Sequence, residues 1–172
     1  DLTPNIVEAT IDVYNTILRD LRPTPAKSHY TYNLRDLSKV FQGLLMMNNS
    51  KIETKEDLAR MWIHETRRQF ADRLINEEDL SWFLNLVQEK VKDDLKMEWS
   101  TVMVRDRLIC GDYLVPGADP RVYEEVKDID SLQQLFEEYL SEYNADSKQP
   151  MNLVMFMDAI EHVSRISRVI RQ

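Results

Sequence analysis

Few residues in this chain have the type and spacing that chemistry needs. His64-Glu65 invites comparison with H-E-x-x-H, in which two histidines one turn apart hold zinc and the glutamate acts as base. The second histidine is absent, because position 68 is Arg68. His29 and His162 lie in other segments, so no metal site is expected. Cys110 has no activating base beside it and reads as a small buried hydrophobe. Asp93-Asp94 and Glu124-Glu125 sit among other charges, the pattern of solvated faces rather than of an acid–base dyad. No Ser-His-Asp arrangement can be drawn. No catalytic residue is assigned, and the chain is not expected to be an enzyme by itself.

Two basic features rise above that background. Arg35 falls in the first turn of a helix opened by Asn33, whereas the macrodipole favours cations at the other end. A cation there makes sense if an anion docks beside it, because a guanidinium gives phosphate planar, bidentate hydrogen bonds. The alternative is a surface neighbourhood shared with Asp36 and Lys39. The second feature is Arg165, Arg168 and Arg171, which read as the solvated end of a final helix.

Composition narrows the classes further. The 172 residues are 43% hydrophobic, enough for a core, and carry a net charge of −8. That balance argues against a nucleic-acid partner. No run of eighteen apolar residues exists, so no membrane-spanning segment is expected. Gly43, Gly111 and Gly117, the only three glycines, cannot build a P-loop or a dinucleotide fingerprint. A single cysteine excludes an internal disulfide framework and fits a reducing compartment. The start, Asp1-Leu2-Thr3, reads as a cut from a longer polypeptide.

The elements that must position these residues are mostly helical. Thr3-Pro4 reads as a cap followed by the first helical residue, with Val7, Ile11, Tyr14, Leu18 and Leu21 as the stripe. Pro23 and Pro25 end that helix. Three capping pairs follow: Asn33 with Asp36, Thr54 with Asp57 and Asn76 with Asp79. They predict helices over 34–47, 55–75 and 77–95, hence a compact bundle. After Trp99 the pattern changes. Val102 to Val104 and Leu108 to Val115 predict short strands or irregular segments. From Arg121 to Asp146 two basic and eight acidic residues leave a net −6. Asp130 is expected to cap one helix there, and a final helix carries Leu153, Phe156, Met157, Ile160, Val163 and Ile170.

Longer strings are distinctive. Residues Pro23 to Lys39, reading P-T-P-A-K-S-H-Y-T-Y-N-L-R-D-L-S-K, resemble the dynein heavy chain family in the helical lid of its third AAA+ module. Met61 to Leu74 is similar to that family's W-x-H-E-x-x-R-x-F-x-D-R-L helix, matching at Trp62, His64, Glu65, Arg68, Phe70, Asp72, Arg73 and Leu74. Ile109 to Tyr113 resembles the stretch leading into the fourth module, with Cys110 in place of an aromatic. Tyr123 to Val126, Tyr143-Asn144, Met151 to Phe156, Asp158-Ala159 and His162 to Ile166 continue the likeness, and the wording is of the axonemal type.

The resemblance implies an all-α AAA+ lid bundle over 1–100, then a short irregular or β segment and the first helices of the next module over 101–172. It implies a parent that is an ATP-driven microtubule motor using ATP or ADP with Mg, although no cofactor is expected on this fragment alone. Arg35 matches the early lid arginine (sensor 2) that approaches nucleotide phosphates. Tyr123 and Val126 belong to the approach to the next module's adenine pocket. The implied partners are the large subdomains of the same and neighbouring modules and, through the parent, the microtubule and the intermediate and light chains. The implied location is the cytoplasm and cytoskeleton, in the axoneme of a cilium or flagellum. The rival reading is an independent acidic helical module that binds a partner protein.

Overall fold

A computed structural model describes residues 2–171 and divides the chain into two units at Arg107/Leu108. Helix dominates both. The first unit contains α1 (Thr3–Asp20), α2 (Leu34–Leu45), α3 (Lys55–Thr66), α4 (Glu77–Asp93) and the single turn α5 (Trp99–Val102). Short 3-10 turns lie at Pro25–Lys27 and Asn49–Lys51, and a π-helical segment, Arg67–Ala71, extends α3. Helix α2 packs on α3, α1 packs on α2 and α4, and α5 lies on α3 and α4.

Two of the starts form as the capping pairs predict. The Asn33 side chain accepts from the amides of Arg35 and Asp36, and the Asp36 carboxylate accepts from the Asn33 amide at 2.9 Å. Thr54 and Asp57 close the same reciprocal box at α3. At α4 only half of it forms. Asn76 accepts from the Asp79 amide at 2.9 Å, but the Asp79 carboxylate turns away to Lys27 at 2.5 Å and to the Tyr30 hydroxyl at 2.8 Å. Burial pushes the Asp79 carboxyl up, yet the Lys27 ammonium and the Tyr30 hydroxyl outweigh it and hold the group below the usual carboxylate range. This exchange nails the 24–33 loop to the start of α4.

Several expectations are corrected. Leu2, not Thr3, stands at the N-cap of α1, and Thr3 and Pro4 lie inside the first turn. The core face of α1 is Ile6, Ala9, Thr10, Val13 and Ile17, with Tyr14 at its edge, while Val7, Ile11 and Leu18 remain largely exposed. Helix 55–75 is not one α-helix but α3 followed by the π segment. Trp62, Ile63, Phe70, Phe83, Val87 and Val40 fill the centre of this unit.

The second unit holds a two-residue antiparallel ladder, β1 (Cys110–Gly111) against β2 (Glu124–Glu125), with α6 (Ile129–Asp146) and α7 (Met157–Arg171). Ile109, Val126, Leu132, Phe136 and Ile160 form its core, and the Tyr113 ring meets Phe136 edge-on at 5.1 Å. Asp128, rather than Asp130, caps α6, accepting from the amides of Asp130 and Ser131. Leu153 and Phe156 precede α7 instead of lying in it, because the helix begins at Met157. The three terminal arginines are only in part a solvated face, since Arg171 is exposed but Arg168 is not. Arg168 is only 5% exposed, Arg165 reaches Glu161 at 3.4 Å, and Arg171 pairs with the buried Asp112 at 3.2 Å.

Burial pushes the hydroxyls of Tyr32 and Tyr113 up to about 12. An unfolded tyrosine ionises near ~10. The stability these two contribute is therefore fully present below pH ~10 and is lost as the pH climbs towards about 12. Phenolate absorbance followed with helical circular dichroism should show Tyr32 and Tyr113 ionising latest of the seven tyrosines, together with loss of fold. Seven tyrosines ionising together near the ordinary value, with helix retained, would contradict this packing.

Candidate functional site

The site built around Arg35 rests on local chain geometry. Asn33 turns the backbone from extended (φ −142°, ψ 172°) into α2. Its side-chain oxygen occupies the amides of Arg35 and Asp36, at 2.8 and 3.3 Å. Those two donors are therefore not available to an outside anion. What the turn presents instead is the Arg35 side chain. Arg35 is exposed, and among the described residues no side chain pairs with its guanidinium. A solvated guanidinium on a fixed helical turn can form charge-assisted hydrogen bonds to a phosphate brought against it.

Long-range contacts hold that turn. The Arg73 guanidinium donates from Nη2 to Asp36 Oδ1 at 2.9 Å and from Nη1 to the Thr31 carbonyl at 2.6 Å, and lies 4.8 Å from the Tyr32 ring centroid. His29 Nε2 meets the Arg73 carbonyl at 2.9 Å. Nearby, Tyr30 Oη accepts from the Ile75 amide at 3.0 Å while donating to Asp79. Nothing in local spacing pointed to Arg73, since its partners lie 37 and 42 positions away.

Beneath α2, His64 and Glu65 form a buried pair, Nδ1 to Oε1 at 3.0 Å. Gly43 makes room for it: a Cβ at that position would stand 1.8 Å from Glu65 Oε2. The pair is thus part of the α2–α3 seam. No group of three His, Cys, Asp or Glu gathers as a metal site among the described residues.

Tyr123 and Val126 flank β2 in the second unit, and both are buried. The Val126 amide donates to the Ile109 carbonyl at 2.9 Å, and its side chain belongs to the core. Val126 also borders an open cleft of about 390 Å³ with Leu114, Lys127, Ser131, Leu135 and Glu138. Arg35 lies in the first unit, so the residues implied for the two nucleotide sites are carried by different units.

Among the described residues no helix is long and apolar enough to cross a membrane. Residues 6–101 match the AAA+ lid domain family. The whole chain is 47% identical to dynein axonemal heavy chain 1 of Mus musculus, of which it spans 4%. Over 97% of its length it is 44% identical to dynein axonemal heavy chain 2 of Mus musculus and 41% identical to dynein axonemal heavy chain 3 of Homo sapiens, again spanning 4% of each. The chain belongs to the AAA+ lid domain family, and across nearly its entire length it is similar to one short stretch of the axonemal dynein heavy chains.

Proposed function

We propose that this chain is the helical lid of the third AAA+ module of an axonemal dynein heavy chain, over 1–100, joined to the beginning of the fourth module, over 101–172. Its role is to contact nucleotide held by the module's large subdomain and to couple neighbouring ATPase sites. Arg35 acts as the sensor-2 arginine, and Tyr123 and Val126 contribute to the approach to the next module's adenine pocket. The parent is an ATP-driven motor working with Mg and ATP or ADP on microtubules in the axoneme. The fragment meets the large subdomains within the same polypeptide, and the intermediate and light chains belong to the parent. The observation that carries the reading is an exposed Arg35 guanidinium with no side-chain partner among the described residues, on a doubly capped first turn within the stretch that matches the lid family.

One charge-assisted contact contributes about 1.5–3 kcal/mol, whereas a micromolar complex needs about 8 kcal/mol. The isolated chain should therefore fail to bind ATP at micromolar concentration by calorimetry. In the full-length heavy chain, Arg35→Ala should weaken nucleotide binding at that module roughly ten- to a hundredfold. Unchanged affinity there would overturn the assignment.

A further inference from the structure

We propose that Arg73 is the positioning residue for Arg35, acting through Asp36; this rests on the reading of Arg35 as a phosphate contact. The Asp36 carboxylate is divided between two tasks. Its Oδ2 accepts from the Asn33 amide and closes the capping box, while its Oδ1 accepts from Arg73 Nη2. Both partners of that bond are largely withdrawn from water, with side-chain exposures of 26% for Arg73 and 13% for Asp36. The second arm of the same guanidinium holds the Thr31 carbonyl, and its plane lies against Tyr32. One side chain thus grips residues 31, 32 and 36, on both sides of the turn that presents Arg35.

Arg73 sits just beyond the π segment, so it ties the tip of α2 to the end of α3. The Lys27–Asp79–Tyr30 cluster fixes the same loop to the start of α4. The α3–α4 corner and the first turn of α2 therefore move as one piece. Displacement of that corner relative to bound nucleotide is delivered at Arg35. A lysine at position 73 has a point charge without a fork and can keep one arm of the grip but not both.

The test has two readouts. In the 172-residue chain, Arg73→Gln and Asp36→Asn should each speed amide exchange at residues 34–37 at least tenfold, with exchange in the middle of α4 unchanged and Arg73→Lys in between. Asp36→Asn keeps an oxygen for the Asn33 amide, and so separates loss of the grip from loss of the cap. In the full-length heavy chain, Arg73→Gln should lower the module's affinity for a fluorescent ADP about as much as Arg35→Ala does, and the double variant should be no worse than Arg35→Ala alone. Unaltered exchange in both Arg73→Gln and Asp36→Asn overturns the grip itself. Additive losses in the double variant overturn action through Arg35. A silent Arg35→Ala overturns the phosphate reading, and the positioning role with it, whatever the exchange data show.

Discussion

Gly43→Ala should destabilise the first unit by about 1–3 kcal/mol, a large loss for a change that adds one methyl group. At an exposed helical site the same substitution is favourable by up to ~1 kcal/mol, so propensity predicts the opposite sign. The difference lies in what the methyl would meet. Its carbon would stand 1.8 Å from Glu65 Oε2 and 2.4 Å from Glu65 Cδ. Glu65 is fully buried and engaged with His64, so its carboxylate cannot swing into water. Either that charged group is torn from its partner, at about 3–5 kcal/mol, or α2 lifts from α3 at an overpacking cost of about 1–3 kcal/mol. Denaturant unfolding of the variant checks this, and an unchanged or raised midpoint would show that the seam is loose.

Trp62→Ala carries a larger expected loss, about 3–5 kcal/mol. Trp62 is fully buried at the centre of the bundle. Its ring nitrogen donates to Thr10 Oγ1 at 2.8 Å, and that hydroxyl donates to the Ile6 carbonyl at 2.6 Å. The relay joins α3 to α1 across the core, a place where most joints are purely apolar. Trp62→Phe keeps most of the ring but strips Thr10 of its donor, and Thr10→Val strands the indole N–H, each costing about 1–3 kcal/mol. Because the two changes remove one bond from opposite ends, the double variant should lose less than their sum. Equilibrium unfolding of the three variants decides it; strictly additive losses would deny the coupling.

What the sequence made legible follows from distance along the chain. The boxes at Asn33 and Thr54 close over three residues, so local spacing suffices to read them. Arg35 is legible for the same reason, its place being set by the cap two residues before it. The face of α1 is not. Ile6, Val13 and Ile17 lie on one side and Val7, Ile11 and Leu18 on another, and periodicity is satisfied by both. Only the neighbours decide which is buried: Asn5 donates to the Asp94 carbonyl at 2.8 Å and Asp12 pairs with Lys90 at 2.9 Å, fixing α1's rotation against α4. The half-formed box at Asn76 shows the same override, since a cation and a phenol 49 to 52 positions upstream compete for Asp79. The grip of Arg73 on Asp36 belongs to this class too. In the second unit, the pairing of Arg171 with Asp112 spans most of the unit, so helix-end preference alone misreads it.

The wide turn at Arg67–Ala71 has a consequence for the direction of the side chains that follow it rather than for composition. On an unbroken α-helix, residues eight apart diverge by about 80° around the axis. A π turn takes more residues to complete a revolution, and so lets Trp62 and Phe70 both face inward. The extra residue held in that turn sets the angular phase of everything downstream. Wound instead at α geometry, the same residues would carry the continuation round by about a further 100°. Arg73 would then leave Asp36 even though every side chain of the grip was still present. Here the winding of the backbone is a requirement as stringent as the kind of residue it carries.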